Sequence, residues 1–107
     1  MNPQFKKGVL DLCVLAALHD RDAYGYELAE QISQSIEIAE GTLYPLLRKL
    51  KGDGLCETYL SDASGGPPRK YYRLTEKGKA AEAELRREWL DFVRQVNRIL
   101  MEGGTDE

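Results

Sequence analysis

A mainly α fold with a small β-hairpin and a long closing helix is predicted by three observations on this chain of 107 residues. Apolar residues recur with helical spacing in four separate stretches, the last and longest running from Thr75 to Met101. Two runs of strand formers stand between the third and fourth of these, parted by the loop Ser61 to Pro68 with its Gly65-Gly66-Pro67-Pro68 sequence. The length is that of one domain, and no apolar run approaches the roughly 20 residues a bilayer needs.

The first helix, Phe5 to Leu18, is apolar on nearly every side, from Val9 and Leu10 through Leu12, Cys13, Val14 and Leu15. A helix apolar all round needs partners all round, and so short a chain has few elements to offer, so part of this surface is expected to meet a second subunit. Lys6 and Lys7 ahead of an apolar run resemble a signal peptide. Asp11 breaks that run and no small-residue cleavage site follows, so a cytoplasmic protein is expected. His19 opens a polar turn ending at Asp22 and is read as a capping or solvated side chain, not a ligand or base.

A second helix is expected over Ala23 to Ser35, buried through Tyr24, Leu28 and Ile32. Tyr24-Gly25-Tyr26 at its start sets two hydroxyls beside free N–H groups that could hold a phosphate; equally, Tyr24 could be a core ring with its hydroxyl at the rim. After the short turn Ile36 to Ala39 comes the segment Glu40 to Leu55. Leu43, Leu46, Leu47 and Leu50 fall at i, i+3, i+4 and i+7 and form its buried stripe. Thr42, Tyr44, Pro45, Arg48, Lys49 and Lys51 lie off that stripe. Pro45 is placed in the first turn, where its missing N–H has no partner to lose, and Gly52 and Gly54 supply the stop. Two helices with so short a connection, the second with a cationic outer face, make a helix-turn-helix.

Leu55 to Leu60 and Arg69 to Leu74 read as a two-stranded hairpin, with Arg69 and Lys70 where the loop re-enters the strand. It would be marginal alone, and Tyr72 and Leu74 are expected to seat it on a helix. In the closing helix Thr75 is the N-cap and Gly103-Gly104 the end, and Ala81, Leu85, Trp89, Phe92, Val96 and Ile99 form a seam suited to pairing with a second copy. Glu82, Glu84, Arg86, Arg87, Glu88, Asp91 and Arg94 are taken as solvated charge. The organisation is therefore a winged helix-turn-helix domain over residues 1–74, a dimerisation helix over 75–101 and a flexible tail over 102–107.

The net charge of −3 argues against a sticky, non-specific nucleic-acid binder, yet residues 41–79 hold eight Lys/Arg against four Asp/Glu, whereas the flanking segments are acidic. Cys13 and Cys56 have no metal-ligand spacing and are read as reduced packing residues. One histidine, no metal-spaced cluster, no phosphate-cradling loop and no nucleophile–base motif exclude an enzyme and leave no cofactor or metal to expect.

The chain resembles the PadR family of bacterial transcriptional regulators in its short form. The carriers are Tyr24-Gly25-Tyr26-Glu27-Leu28, then Gly41-Thr42-Leu43-Tyr44-Pro45-Leu46-Leu47 with Leu50 and Gly54-Leu55, then Arg69-Lys70-Tyr71-Tyr72-Arg73-Leu74-Thr75-Glu76-Lys77-Gly78. The resemblance implies a homodimer that binds a pseudo-palindromic operator in double-stranded DNA, usually to repress. Thr42, Tyr44, Pro45, Arg48 and Lys49 would then enter or border the major groove, with Tyr24 and Tyr26 at phosphates and Arg69 and Lys70 on the wing. Trp89 resembles the tryptophan with which drug-sensing members stack flat aromatic compounds at the dimer axis, with Phe5, Leu12 and Val93 nearby. Val93 replaces the acidic residue that those sensors keep, which weakens the case for cationic drugs; the other reading of Trp89 is the anchor of the dimer core. The rival from another class is a winged-helix protein-interaction module whose basic patch is incidental.

Overall fold

The computed structural model of the chain describes the backbone of residues 3–105 and the side chains of residues 8–39 and 41–102. Its elements run α1 (Pro3–Asp20), β1 (Ala23–Tyr24), α2 (Gly25–Ser33), α3 (Glu40–Gly52), β2 (Cys56–Ser61), β3 (Arg69–Leu74) and α4 (Glu76–Thr105). The expected winged helix-turn-helix with a long C-terminal helix is the fold observed.

Periodicity explains the core. Leu10, Val14, Leu15 and Leu18 of α1, Leu28 and Ile32 of α2, and Leu43, Leu46, Leu47 and Leu50 of α3 are all buried in one cluster. The sheet closes it through Cys56, Tyr72 and Leu74, which alternation places on one face of β2 and β3. The hairpin therefore does seat on the helices through Tyr72 and Leu74.

Four expectations are corrected. The sheet has three strands in the order β1-β3-β2, because Ala23 and Tyr24 pair antiparallel with Tyr72 and Tyr71 before α2 begins at Gly25. Two residues give no period, so the strand merged with the helix that follows it. His19 and Asp20 belong to the last turn of α1, so the polar turn is shorter than expected. Pro45 is the sixth residue of α3, beyond the first turn; the carbonyl its ring would crowd belongs to Gly41, one turn earlier. Finally, α4 runs through Gly103-Gly104 to Thr105, so residues 102–105 continue the helix and are no separate tail. Glycine weakens a helix by about 1 kcal/mol without ending it unless the chain turns left-handed there.

The end of α3 is a Schellman motif. Leu55 N–H donates to Leu50 O at 2.9 Å and Gly54 N–H to Lys51 O at 3.0 Å, with Gly54 at φ 77°. Thr75 then locks this turn to the start of α4. Its hydroxyl donates to Gly54 O at 2.6 Å and accepts from Gly78 N–H at 3.0 Å, while its own N–H donates to Leu55 O at 3.1 Å. Thr75 is thus the expected N-cap. Gly78 is buried against the Leu55 carbonyl, which a methyl group at this position would overlap. Gly78→Ala should lower stability by about 3 kcal/mol, read as a reduced urea midpoint at unchanged slope. A loss below about 1 kcal/mol would show that the junction yields easily.

Candidate nucleic-acid interface

α2 and α3 are joined by residues 34–39, and α2 ends with Ser35 N–H and Ile36 N–H both donating to Ile32 O, at 3.0 and 2.8 Å. The buried leucine stripe of α3 turns its opposite side outward, so Thr42, Tyr44, Pro45, Arg48, Lys49 and Lys51 are all exposed. Tyr44 and Arg48 are one turn apart on that side, as are Pro45 and Lys49. Among the described residues, Arg48 and Lys51 lie within ion-pair distance of no carboxylate.

Other members of the expected set are already engaged. Lys49 Nζ donates to Asp11 Oδ2 of α1 at 2.9 Å. Tyr44 leans on the start of α2: a methyl on Gly25 would stand 2.6 Å from Tyr44 Cε1. The Tyr44 ring therefore packs beside Gly25 of the Tyr24-Gly25-Tyr26 segment. Tyr24 N–H is taken by Glu27 Oε1 at 3.2 Å, half of a capping box, and Tyr26 is exposed.

The outer face of the sheet carries an aromatic row that sequence reasoning missed. Tyr24 meets Tyr71 edge-on at 5.5 Å, and Tyr71 stacks on Tyr59 at 5.7 Å. Arg69 covers the Tyr24 ring at 4.8 Å and Arg73 covers Tyr59 at 4.9 Å, with Arg73 also paired to Glu57 at 3.0 Å. Tyr59 donates to Asp22 Oδ2 at 2.6 Å, and this bond holds its phenol above the ordinary tyrosine range. Strand alternation could have grouped Tyr59, Tyr71 and Arg73; β1, which adds Tyr24, was too short to see.

On the opposite face Lys70 stands 6.0 Å from the Tyr72 ring. Burial raises the Tyr72 phenol, with Cys56 and Tyr44 adding to the shift and Arg48 opposing it. Tyr72 is therefore within electrostatic reach of the α3 face, and Lys70 of the wing lies over its ring. Arg69 and Lys70 are both exposed.

A second feature lies between α1 and α4: a hollow of about 320 Å³ lined by Gly8, Val9, Leu12, Leu85, Glu88, Trp89 and Phe92. Two residues of the expected aromatic site, Leu12 and Trp89, line it. Val93 is half-buried but outside the lining, and the Phe5 side chain lies outside the described residues. Along the expected seam Leu85 packs on the core, whereas Phe92 and Ile99 are exposed, with Val96 half-buried between them. Glu82 corrects the expectation of solvated charge: it is 3% exposed, and Arg86 of the next turn pairs with it at 2.6 Å. Position 82 continues the stripe of Leu85, Trp89 and Phe92 backwards, which is why it is covered. Cys13 and Cys56 are free thiols raised by burial, as packing residues should be.

A helix-turn-helix with a hairpin beside its second helix, followed by a long helix, defines the winged-helix class of regulators. Within it, a model of the transcriptional regulator PadR-like family matches residues 14–84. The chain is 40% identical over 101 residues to an uncharacterised protein of Lysinibacillus sphaericus, covering 91% of this chain and 92% of that one. It is 33% identical over 96 residues to a transcriptional regulator of Mycobacterium tuberculosis, covering 87% of each. A crystal structure of a PadR-like transcriptional regulator from Bacillus cereus superposes with a TM-score of 0.85 at 36% identity, over 91% of this chain and 96% of that one. The chain belongs to the PadR-like family of transcriptional regulators, whose members are not enzymes. No helix among the described residues is long and apolar enough to cross a membrane.

The Gly25–Tyr44 contact is testable. Gly25→Ala should displace the ring and cost about 1–2 kcal/mol in chemical denaturation, and the cost should vanish in a Tyr44→Ala background. Equal costs in both backgrounds would place the effect elsewhere than at Tyr44.

Proposed function

We propose that this PadR-family regulator is a cytoplasmic, sequence-specific DNA-binding repressor that acts as a homodimer on a pseudo-palindromic operator. The carrying observation is the outer face of α3, where Thr42, Tyr44, Pro45 and Arg48 are exposed on a helix whose other side is wholly committed to the core. Arg48 has the planar fork that bonds guanine bidentately and no competing carboxylate among the described residues, so it reads base edges. Lys49, Lys70 and Arg69 meet phosphates, with Tyr24 and Tyr26 at the backbone beside α2. Dimerisation uses Leu85, Trp89, Phe92, Val96 and Ile99, and the 71% exposure of Ile99 supports a partner on this face. The hollow beside Leu12 and Trp89 supports a planar aromatic effector there, with Phe5 and Val93 at its margin.

Binding of the purified protein to duplex DNA from upstream of its own gene, against a scrambled duplex across a salt series, tests the reading. Specific, salt-sensitive binding is expected; failure to bind duplex even at low salt would favour the protein-interaction module. Arg48→Ala should cost about 1–3 kcal/mol on the operator and little on random DNA, whereas Lys70→Ala should weaken both alike and flatten the salt dependence. Equal losses on both duplexes for Arg48→Ala would overturn its assignment to bases.

A further inference from the structure

Asp11 is the one acid in the apolar run of α1, and the DNA-reading role proposed for α3 assigns it no part. Its side chain is 17% exposed, with Oδ2 bonded to Lys49 Nζ at 2.9 Å and Oδ1 buried without a hydrogen-bond partner among the described residues. A half-buried carboxylate has less water to bond and gains from the cation beside it. Lys49 is differently placed, with 48% of its side chain exposed on the outer half of α3. The bond from Asp11 also holds the Lys49 ammonium firmly in its charged form. One ammonium thus stands between a fixed carboxylate behind it and the surface in front.

We propose that Asp11 is an intramolecular competitor for the phosphate contact of Lys49, and so sets the affinity and salt dependence of duplex binding. This rests on the DNA-reading role of α3 proposed above. An ammonium already in contact with a carboxylate carries little net charge to the DNA backbone and displaces few counterions from it. A phosphate that takes Lys49 away removes the one described partner of the half-buried Asp11 carboxylate, which costs free energy that offsets the new contact. Because the contest is for a phosphate and not for a base, Asp11 weakens binding to every sequence alike and leaves discrimination to Arg48. Val9 and Leu12, on either side of Asp11 in sequence, line the hollow at Trp89, so the same helix carries both the competitor and that wall.

The test measures dissociation constants on operator-bearing and scrambled duplexes over a salt series, for the wild-type protein, Asp11→Asn, Lys49→Gln and the double variant, with thermal unfolding recorded alongside. Asp11→Asn should bind both duplexes about fivefold more tightly near 0.1 M salt and steepen the logarithmic salt slope by roughly 0.9. Lys49→Gln should cost more in the Asp11→Asn background than in the wild type, and the double variant should bind no more tightly than Lys49→Gln alone. Asp11→Ser, smaller and also neutral, gives the same readout should the asparagine variant fail to fold. A folded Asp11 variant that binds no more tightly than wild type overturns the proposal, as does a gain that persists without Lys49. Wild-type duplex binding with no response to Asp11→Asn removes only this inference. No binding by any variant at the lowest salt removes the DNA-reading role with it.

Discussion

The turn at Gly54-Leu55 and its closure by Thr75 fix where everything else stands. Helix termini leave carbonyls without partners, and here three at the end of α3 are met: Leu50 O by Leu55 N–H, Lys51 O by Gly54 N–H and Asp53 O by the Lys77 ammonium. Gly54 O and Leu55 O are then held by Thr75. The chain leaves α3, makes the hairpin and returns to within hydrogen-bonding distance of where it left. α3 and α4 are therefore clamped at a shared corner with Gly78 as the contact point, and the direction of the exposed α3 face is set relative to the axis of α4.

That corner gives the charge distribution its meaning. Residues 41–79 carry the excess of cations, yet most of those with a described partner are turned to internal use. Arg69 and Arg73 lie on tyrosine rings, Lys70 stands over Tyr72, Lys77 caps α3 and Lys49 is paired with Asp11. Arg48 and Lys51 have no carboxylate at ion-pair distance among the described residues. Cations on aromatic faces remain accessible at their edges and lose rotamer freedom in advance, so a surface of this kind favours orientation over bulk attraction. A chain with net charge −3 has little long-range pull on nucleic acid, so on the proposed reading of α3 selectivity would rest on geometry at a few side chains.

How much of this was legible in the sequence follows from how local each determinant is. The leucine stripe of α3, the two hairpin strands and the Thr75 cap are set by residues close to one another in the chain, and local pattern and residue type showed them. β1 was hidden because two residues carry no period and take their conformation from Tyr71 and Tyr72, almost fifty positions away. The contacts of Tyr44 with Gly25 and of Lys49 with Asp11 also join separate elements, so composition marked these side chains as exposed and polar without indicating that they brace neighbouring helices. Glu82 is the exception. It lies on the backward extension of a visible stripe and four residues before Arg86, so its burial with a partner was readable and the habit of assigning acids to solvent obscured it.

The shape of the molecule sets apart the two halves of α4. A compact chain of this length has a radius of gyration near 13 Å by the usual scaling, whereas this one measures 16.3 Å, with a longest extent of 60 Å. Its N-terminal half is part of the domain, where Leu85 meets the core and Glu82 is enclosed. Beyond Trp89 the helix presents Ile99, Leu100 and Met101 largely to solvent. Exposed apolar surface of this extent is what the homodimer proposed above would cover. α1 links this region to the α3 face. It buries Leu10, Val14 and Leu18 in the core, turns Val9 and Leu12 to the hollow with Trp89, and reaches α3 through Asp11. A helix apolar on nearly all sides is thereby explained in part within its own chain, where Leu10, Val14, Leu15, Ala17 and Leu18 are buried, and in the proposed homodimer the side toward Trp89 would meet the partner.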